Sequence, residues 1–183
     1  MNSRDAAKTI SQSQYGLHYL LIYSDLATLR EFYSNYIQKQ INDNELIQIM
    51  PFYETENSVR ETLFNNWTAD LDLLKEEEKS LIIVDSLRGY LDHDYVESIW
   101  KNMEERVNYA EKIGKKGISM LGDVGAFLFK QRIQTLLEYE SNRLSKFDSN
   151  LKVICMYHQK DFGKISKDFQ QKIVDSHAMT IKI

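Results

Sequence analysis

Six short apolar runs punctuate the chain, at 17–23, 46–52, 81–85, 118–122, 151–157 and 179–183. They are rich in Ile, Leu, Val and Tyr. Several are nearly continuous rather than alternating, the pattern of strands covered on both faces. The segments between them carry helical periodicity. Leu29, Phe32, Tyr33, Tyr36, Ile37 and Ile41 recur at three- and four-residue steps. Thr28 with Glu31 suggests a capping box at the start of that helix. Residues 95–112 place Val96, Trp100, Met103, Val107 and Ala110 on one stripe, with Asp92 and Asp94 as N-cap candidates. Lys112-Ile113-Gly114-Lys115 reads as its C-terminus. Residues 129–144 carry Ile133, Leu136, Leu137 and Leu144, and 58–66 and 167–176 read as lesser helices. Strands alternating with helices predict an α/β fold, a mainly parallel sheet with helices on both faces. Pro51 belongs at the C-terminal end of the second strand, because a proline inside a central strand removes a ladder bond. Residues 1–14 read as a flexible polar lead-in, and 15–183 as a single domain.

Composition narrows the function classes. Of 183 residues 43% are apolar and 27% charged, which excludes a disordered chain. The net charge is −4, and the one compact basic cluster, Lys112, Lys115 and Lys116, ends a helix. No nucleic-acid surface is therefore expected. No run approaches the roughly 18 apolar residues of a membrane span, and the N-terminus lacks the apolar core of a signal peptide. A single cysteine, Cys155, forms no internal disulfide and suits a reducing compartment. A cytoplasmic location is expected. Seven glycines are present, yet none lies between Gly16 and Gly89. A phosphate-cradling loop after the first strand is thereby excluded, because its backbone needs glycines to approach the phosphates.

In an open α/β sheet, ligands bind outside the carboxyl ends of the strands. The polar residues expected there are Tyr23, Ser24 and Asp25 after the first strand, Tyr53 after the second, Asp85 and Arg88 after the third, Asp123 after the fourth, and Tyr157 and His158 after the fifth. Such a rim could line a pocket with aromatic walls and a few fixed polar groups. The plainer reading is that Ser and Asp in such loops cap the following helices.

Leu81-Ile82-Ile83-Val84-Asp85 has the form of the strand that carries the Mg²⁺-linked acid in P-loop NTPases. The loop after the first strand, Tyr23-Ser24-Asp25-Leu26-Ala27-Thr28, offers neither glycine nor lysine to hold phosphates, so ATP hydrolysis is not expected. Glu140 falls on the apolar stripe of its helix. It reads either as a stripe-edge residue with its head in water or as a buried polar contact to a loop or ligand. His18, His93, His158, His177 and Cys155 show no metal-ligand spacing, and no metal or cofactor is expected. Cys155 lies in an apolar strand, where a thiol is usually inert. The acidic run Glu76-Glu77-Glu78 reads as a solvated turn or helix start.

An ordered series of motifs remains. The opening Gly16-Leu17-His18-Tyr19-Leu20-Leu21-Ile22-Tyr23 resembles that of the methanogen/methylotroph DcmR-type sensory domain, MEDS, which begins with a histidine and an apolar strand ending in tyrosine. The segment Gly117-Ile118-Ser119-Met120-Leu121-Gly122-Asp123-Val124 is similar to its glycine-acid strand end, and Tyr139-Glu140 to its Tyr-Glu helix motif. Val153-Ile154-Cys155-Met156-Tyr157, Asp161-Phe162 and His177 resemble its closing strand, Asp-Phe turn and late histidine. The resemblance implies a three-layer fold like the KaiC and RecA ATPase cores, without the phosphate loop. It also implies sensing of small hydrocarbon derivatives or other small ligands, in repressors and sensor histidine kinases. His158 departs from the pattern, standing where an acidic residue is expected.

The leading expectation is a non-enzymatic sensory module in signal transduction. It would bind a small molecule at the rim, with Glu140 as a further ligand candidate, and pass the signal to a partner such as a histidine kinase or transcription regulator. The alternative is a ligand-independent interaction module, a degenerate RecA-like subunit assembling with itself or with an ATPase relative. A residual nucleotide binder using Asp85 is a third reading.

Overall fold

The computed structural model describes residues 1–67, 74, 79–92, 96–141 and 149–183. Among the described residues six strands form one sheet: β1 (Leu17–Tyr23), β2 (Leu46–Met50), β3 (Leu81–Ile83), β4 (Ile118–Asp123), β5 (Leu151–His158) and β6 (Met179–Lys182). Their spatial order is β3-β2-β4-β5-β1-β6, and every pairing is parallel. The helices among the described residues are α1 (Ser3–Ser11), α2 (Leu26–Asn42), α3 (Glu56–Trp67), α4 (Ser86–Leu91), α5 (Val96–Lys112), α6 (Gly125–Phe129), α7 (Ile133–Ser141), α8 (Gln159–Phe162) and α9 (Lys167–Asp175).

Two cores explain the continuous apolar runs. Alternate residues of each strand face opposite layers. On one face Leu20, Ile22, Met120, Val153 and Tyr157 meet Trp100, Met103, Leu136 and Tyr139 of α5 and α7. On the other Tyr19, Leu21, Leu121, Ile154 and Met156 meet Ile10, Phe32, Tyr36 and Val59 of α1, α2 and α3.

Several sequence expectations change. Residues 1–14 are not a polar lead-in throughout. Asn2 caps α1 by accepting from Asp5 N, and Ala6, Ala7 and Ile10 are buried. Three apolar residues in a polar stretch are enough to dock one face of a short helix. The cap of α2 is Asp25, whose Oδ1 accepts from Thr28 N at 2.9 Å. Thr28 thus occupies the third helical position, and Glu31 is committed to Arg4 at 2.9 Å instead of a capping box. The expected helix at 129–144 is two. α6 begins early at Gly125 and stops at Phe129, the chain turns through Gln131 at φ 55°, and α7 follows. β2 closes at Met50, just before Pro51. Asp94, His93, Leu144 and Glu76-Glu77-Glu78 lie outside the described residues, and Asp92 terminates α4 rather than starting α5.

At the amino ends of the strands, a buried polar network ties α1 to the sheet. Lys152 Nζ lies 3.4 Å from Glu45 Oε1 and donates to Ser11 O at 3.1 Å. Glu45 also accepts from Tyr15 and from Ser119. Buried charges persist only when paired and hydrogen-bonded in this way.

Candidate functional site

The carboxyl ends of the strands converge on Asp123. The Tyr23 hydroxyl donates to Asp123 Oδ2 at 2.6 Å, reaching from β1 across β5 to β4. Oδ1 of Asp123 accepts from Gly125 N at 2.9 Å. The residue is 1% exposed, and burial raises its carboxyl to about 7, against the opposing effect of these two donors. Beside it, the His158 ring stands edge-on to Tyr23 with centroids 5.3 Å apart, and 5.7 Å from Tyr53. Tyr53 donates to Asp161, which Lys164 also holds at 2.7 Å. Burial pushes the Asp161 carboxyl up, but Lys164 and Tyr53 outweigh it and keep the group below its usual range. Phe52 closes on the Gly125 backbone: a Cβ there would meet its ring at 2.5 Å. Among these aromatic residues Tyr53 is the exposed one, at 43%.

Other rim residues serve the backbone. Asp25 caps α2 and Ser24 joins its hydrogen-bond group. Asp85 caps α4 by accepting from Arg88 N at 3.1 Å. Asp85 and Arg88 line a separate cleft of about 730 Å³, together with Met50, Ile99 and Arg106. β3 is the sheet edge, with β2, β4 and β5 between it and β1. At roughly 4.8 Å per strand, Asp85 lies too far away to share a ligand with the loop after β1. The NTPase-like reading of the third strand is corrected accordingly: the acid that meets β1 is Asp123.

Glu140 and Tyr157 belong to neither place. Glu140 is 1% exposed and sits inside the α5–α7 core, so the reading with its head in water is overturned. Tyr157 donates to its Oε1. Around Oε2 stand His177 Nε2 at 3.3 Å and His18 Nε2 at 3.7 Å, and His18 Nε2 lies 3.0 Å from Cys155 Sγ. The construction follows the sheet. His18 and Cys155 come from neighbouring strands, one diagonal step apart in register. His177 enters beside His18, whose carbonyl accepts from Ala178 N, and the two rings are 4.0 Å apart. Burial, with a further push from His177, lowers His18 to about 3, so it is a neutral imidazole. Burial also pushes the Cys155 thiol well up. Sequence spacing hides this group, since its members come from three chain segments and a helix. The available signals were the strand alternation, which sets His18, Cys155 and Tyr157 on one face, and the position of Glu140 on an apolar stripe.

The all-parallel sheet covered on both faces, with a short glycine-free turn between β1 and α2, has an α/β fold of the RecA-like kind. The flagellar accessory protein FlaH from Methanocaldococcus jannaschii is similar in structure, with a TM-score of 0.51 and 15% identity over 97% of this chain and 76% of that one. No curated protein sequence matches the chain. The family model for the methanogen/methylotroph DcmR sensory domain, MEDS, matches residues 17–178, and the chain belongs to that family of sensory domains.

Proposed function

We propose that this domain senses a small organic molecule at the Tyr23–Asp123 rim and passes the signal to a partner protein, without catalysing a reaction on it. The buried Asp123 carboxyl carries the reading. Raised to about 7, it switches between donor and acceptor near neutral pH. It lies beside tyrosines that offer apolar walls with polar handles. A ligand with one hydrogen-bonding group and a short apolar body fits that chemistry. The acidic N-cap Asp25, at the helix end where a RecA-like relative would place phosphate, repels anions and argues against a nucleotide. Tyr53, exposed and tied to Asp161, is the element whose rearrangement would report occupancy, provided the ligand favours one of its positions.

The test is a thermal-shift and NMR screen with short-chain alcohols, aldehydes, amines and halides, alongside Mg·ATP. A responding compound should perturb Tyr23, Phe52 and Tyr53 resonances, and Asp123→Asn should abolish the response. If no compound binds, or if binding persists unchanged in Asp123→Asn, the rim is not the sensory site.

A further inference from the structure

The group on the opposite face of the sheet has a geometry of its own. One donor atom from each of His18, Glu140, Cys155 and His177 lies within 4.8 Å of the other three, and all four residues are buried. Two of these atoms, Glu140 Oε2 and His177 Nε2, are buried and partner each other at ion-pair distance. They face each other at 3.3 Å. The tautomer sets what lies between them. Nδ1 of His177 lies 2.6 Å from the Ile173 carbonyl. A carbonyl only accepts, so Nδ1 carries the proton, and in the neutral ring Nε2 presents a lone pair to a carboxylate oxygen. A carboxylate oxygen and that nitrogen need a positive charge between them. A second proton on His177 supplies it, since burial lowers the ring but Glu140 outweighs burial and raises it above its usual range. A cation held by the four donors would take that proton's place.

We propose that His18 Nε2, His177 Nε2, Cys155 Sγ and Glu140 Oε2 form a four-coordinate site for one divalent transition-metal ion of the zinc class. Bond lengths of about 2.0–2.3 Å to N, O and S in a tetrahedron place the donors roughly 3.3–3.6 Å apart. Three of the six donor separations, 3.0, 3.3 and 3.7 Å, bracket that spacing, and the others fall within 4.8 Å. Charge also balances. A thiolate and a carboxylate neutralise a divalent cation, so the filled site adds no net charge to the core. Mixed imidazole and thiolate donors favour zinc-like ions over magnesium or calcium. The outer partners are in place: Ile173 fixes the His177 tautomer, Tyr157 orients Glu140, and the Tyr139 hydroxyl lies 3.8 Å from Cys155 Sγ. With four protein ligands the site is closed, of the structural kind rather than the hydrolytic kind. It would pin edge strand β6 and α7 to the centre of the sheet. The inference does not rest on the rim, which lies on the other face, so either can fail alone.

The probe is Co²⁺. The full chain is unfolded with chelator, freed of metal and refolded with increasing Co²⁺, which removes any barrier to entry. The expected result is an equimolar endpoint with thiolate-to-cobalt charge transfer in the near ultraviolet and strong tetrahedral d–d bands. Zn²⁺ should displace the Co²⁺ and raise Tm. Cys155→Ser should lose the charge-transfer band and Glu140→Gln the tight endpoint. Tyr157→Phe should keep the spectrum and weaken binding about 10–100-fold. Far-UV circular dichroism establishes that each variant is folded. Folded wild-type protein without a charge-transfer band, or with only the weak octahedral spectrum of surface binding, overturns the proposal. So does a wild-type endpoint in folded Glu140→Gln.

Discussion

His18 Nε2 lies 3.0 Å from Cys155 Sγ, although the two residues are 137 positions apart in the chain. Parallel pairing of β1 with β5 creates that contact, because it aligns His18 with Val153 and brings Cys155 one diagonal step away on the same face. The same sheet sends Tyr23 to Asp123 on its other face. Two polar groups of different character are thereby built back to back, one at the rim and one in the core.

Asp123 should give stability a defined pH dependence. Its folded pKa of about 7 stands above the ordinary 3.8. The folded state therefore holds the proton more tightly than the unfolded chain. The stabilisation is full below the unfolded value and is lost as pH rises through about 7. Asp123→Asn keeps an acceptor for Gly125 N and removes the charge. Its Tm relative to wild type should climb between about pH 4 and pH 7 and then level off. A pH-independent difference would show that the carboxyl is not held in a buried environment.

Docking of α1 is open to a direct test. Ile10 is fully buried against the α2 layer. Ile10→Ala should cost about 2–5 kcal/mol, measured by urea unfolding, and should speed proteolysis within the first residues. If residues 1–14 were only a lead-in, neither quantity would move.

The Lys152–Glu45 pair should behave as a buried ion pair. Lys152→Met leaves Glu45 charged in the core and should destabilise by about 3 kcal/mol, near the lower end for broken buried pairs, because Tyr15 and Ser119 still donate to Glu45. Adding Glu45→Gln should recover part of the loss. A Lys152→Met effect inside about 0.5 kcal/mol, the range of ordinary surface changes, would count against the pairing.

Gly122 is required by its neighbour. A Cβ at that position would stand 1.8 Å from the Tyr90 hydroxyl. Gly122→Ala should cost about 1–3 kcal/mol through overpacking. Tyr90→Phe removes the clashing oxygen and should restore part of the stability in the double variant. Equal losses with and without the Tyr90 hydroxyl would place the strain elsewhere.

The architecture was legible because it depends on local patterns. Continuous apolar runs marked strands covered on both faces, and 3.6-residue stripes marked α2 and α5. Boundaries depended on particular hydrogen bonds: Asp25 took the cap expected at Thr28, and Gln131 split a helix that periodicity alone had joined. At the rim, Tyr23, Asp123 and His158 could be named from strand ends, but Asp85 could not be separated from them. The apolar run ending in acid looks the same at an edge as at the centre of a sheet.

The sequence by itself determined the alternation of strands and helices, and through the glycine gap between Gly16 and Gly89 it excluded a phosphate cradle after the first strand. Both are properties of neighbouring residues. Only the tertiary structure decided which acid meets Tyr23 and whether Glu140 is wet or buried. It alone decided that two histidines, a cysteine and a carboxylate share one point in the core. Strand order and the docking of α7 set these distances, and neither can be read from the spacing of residues along the chain.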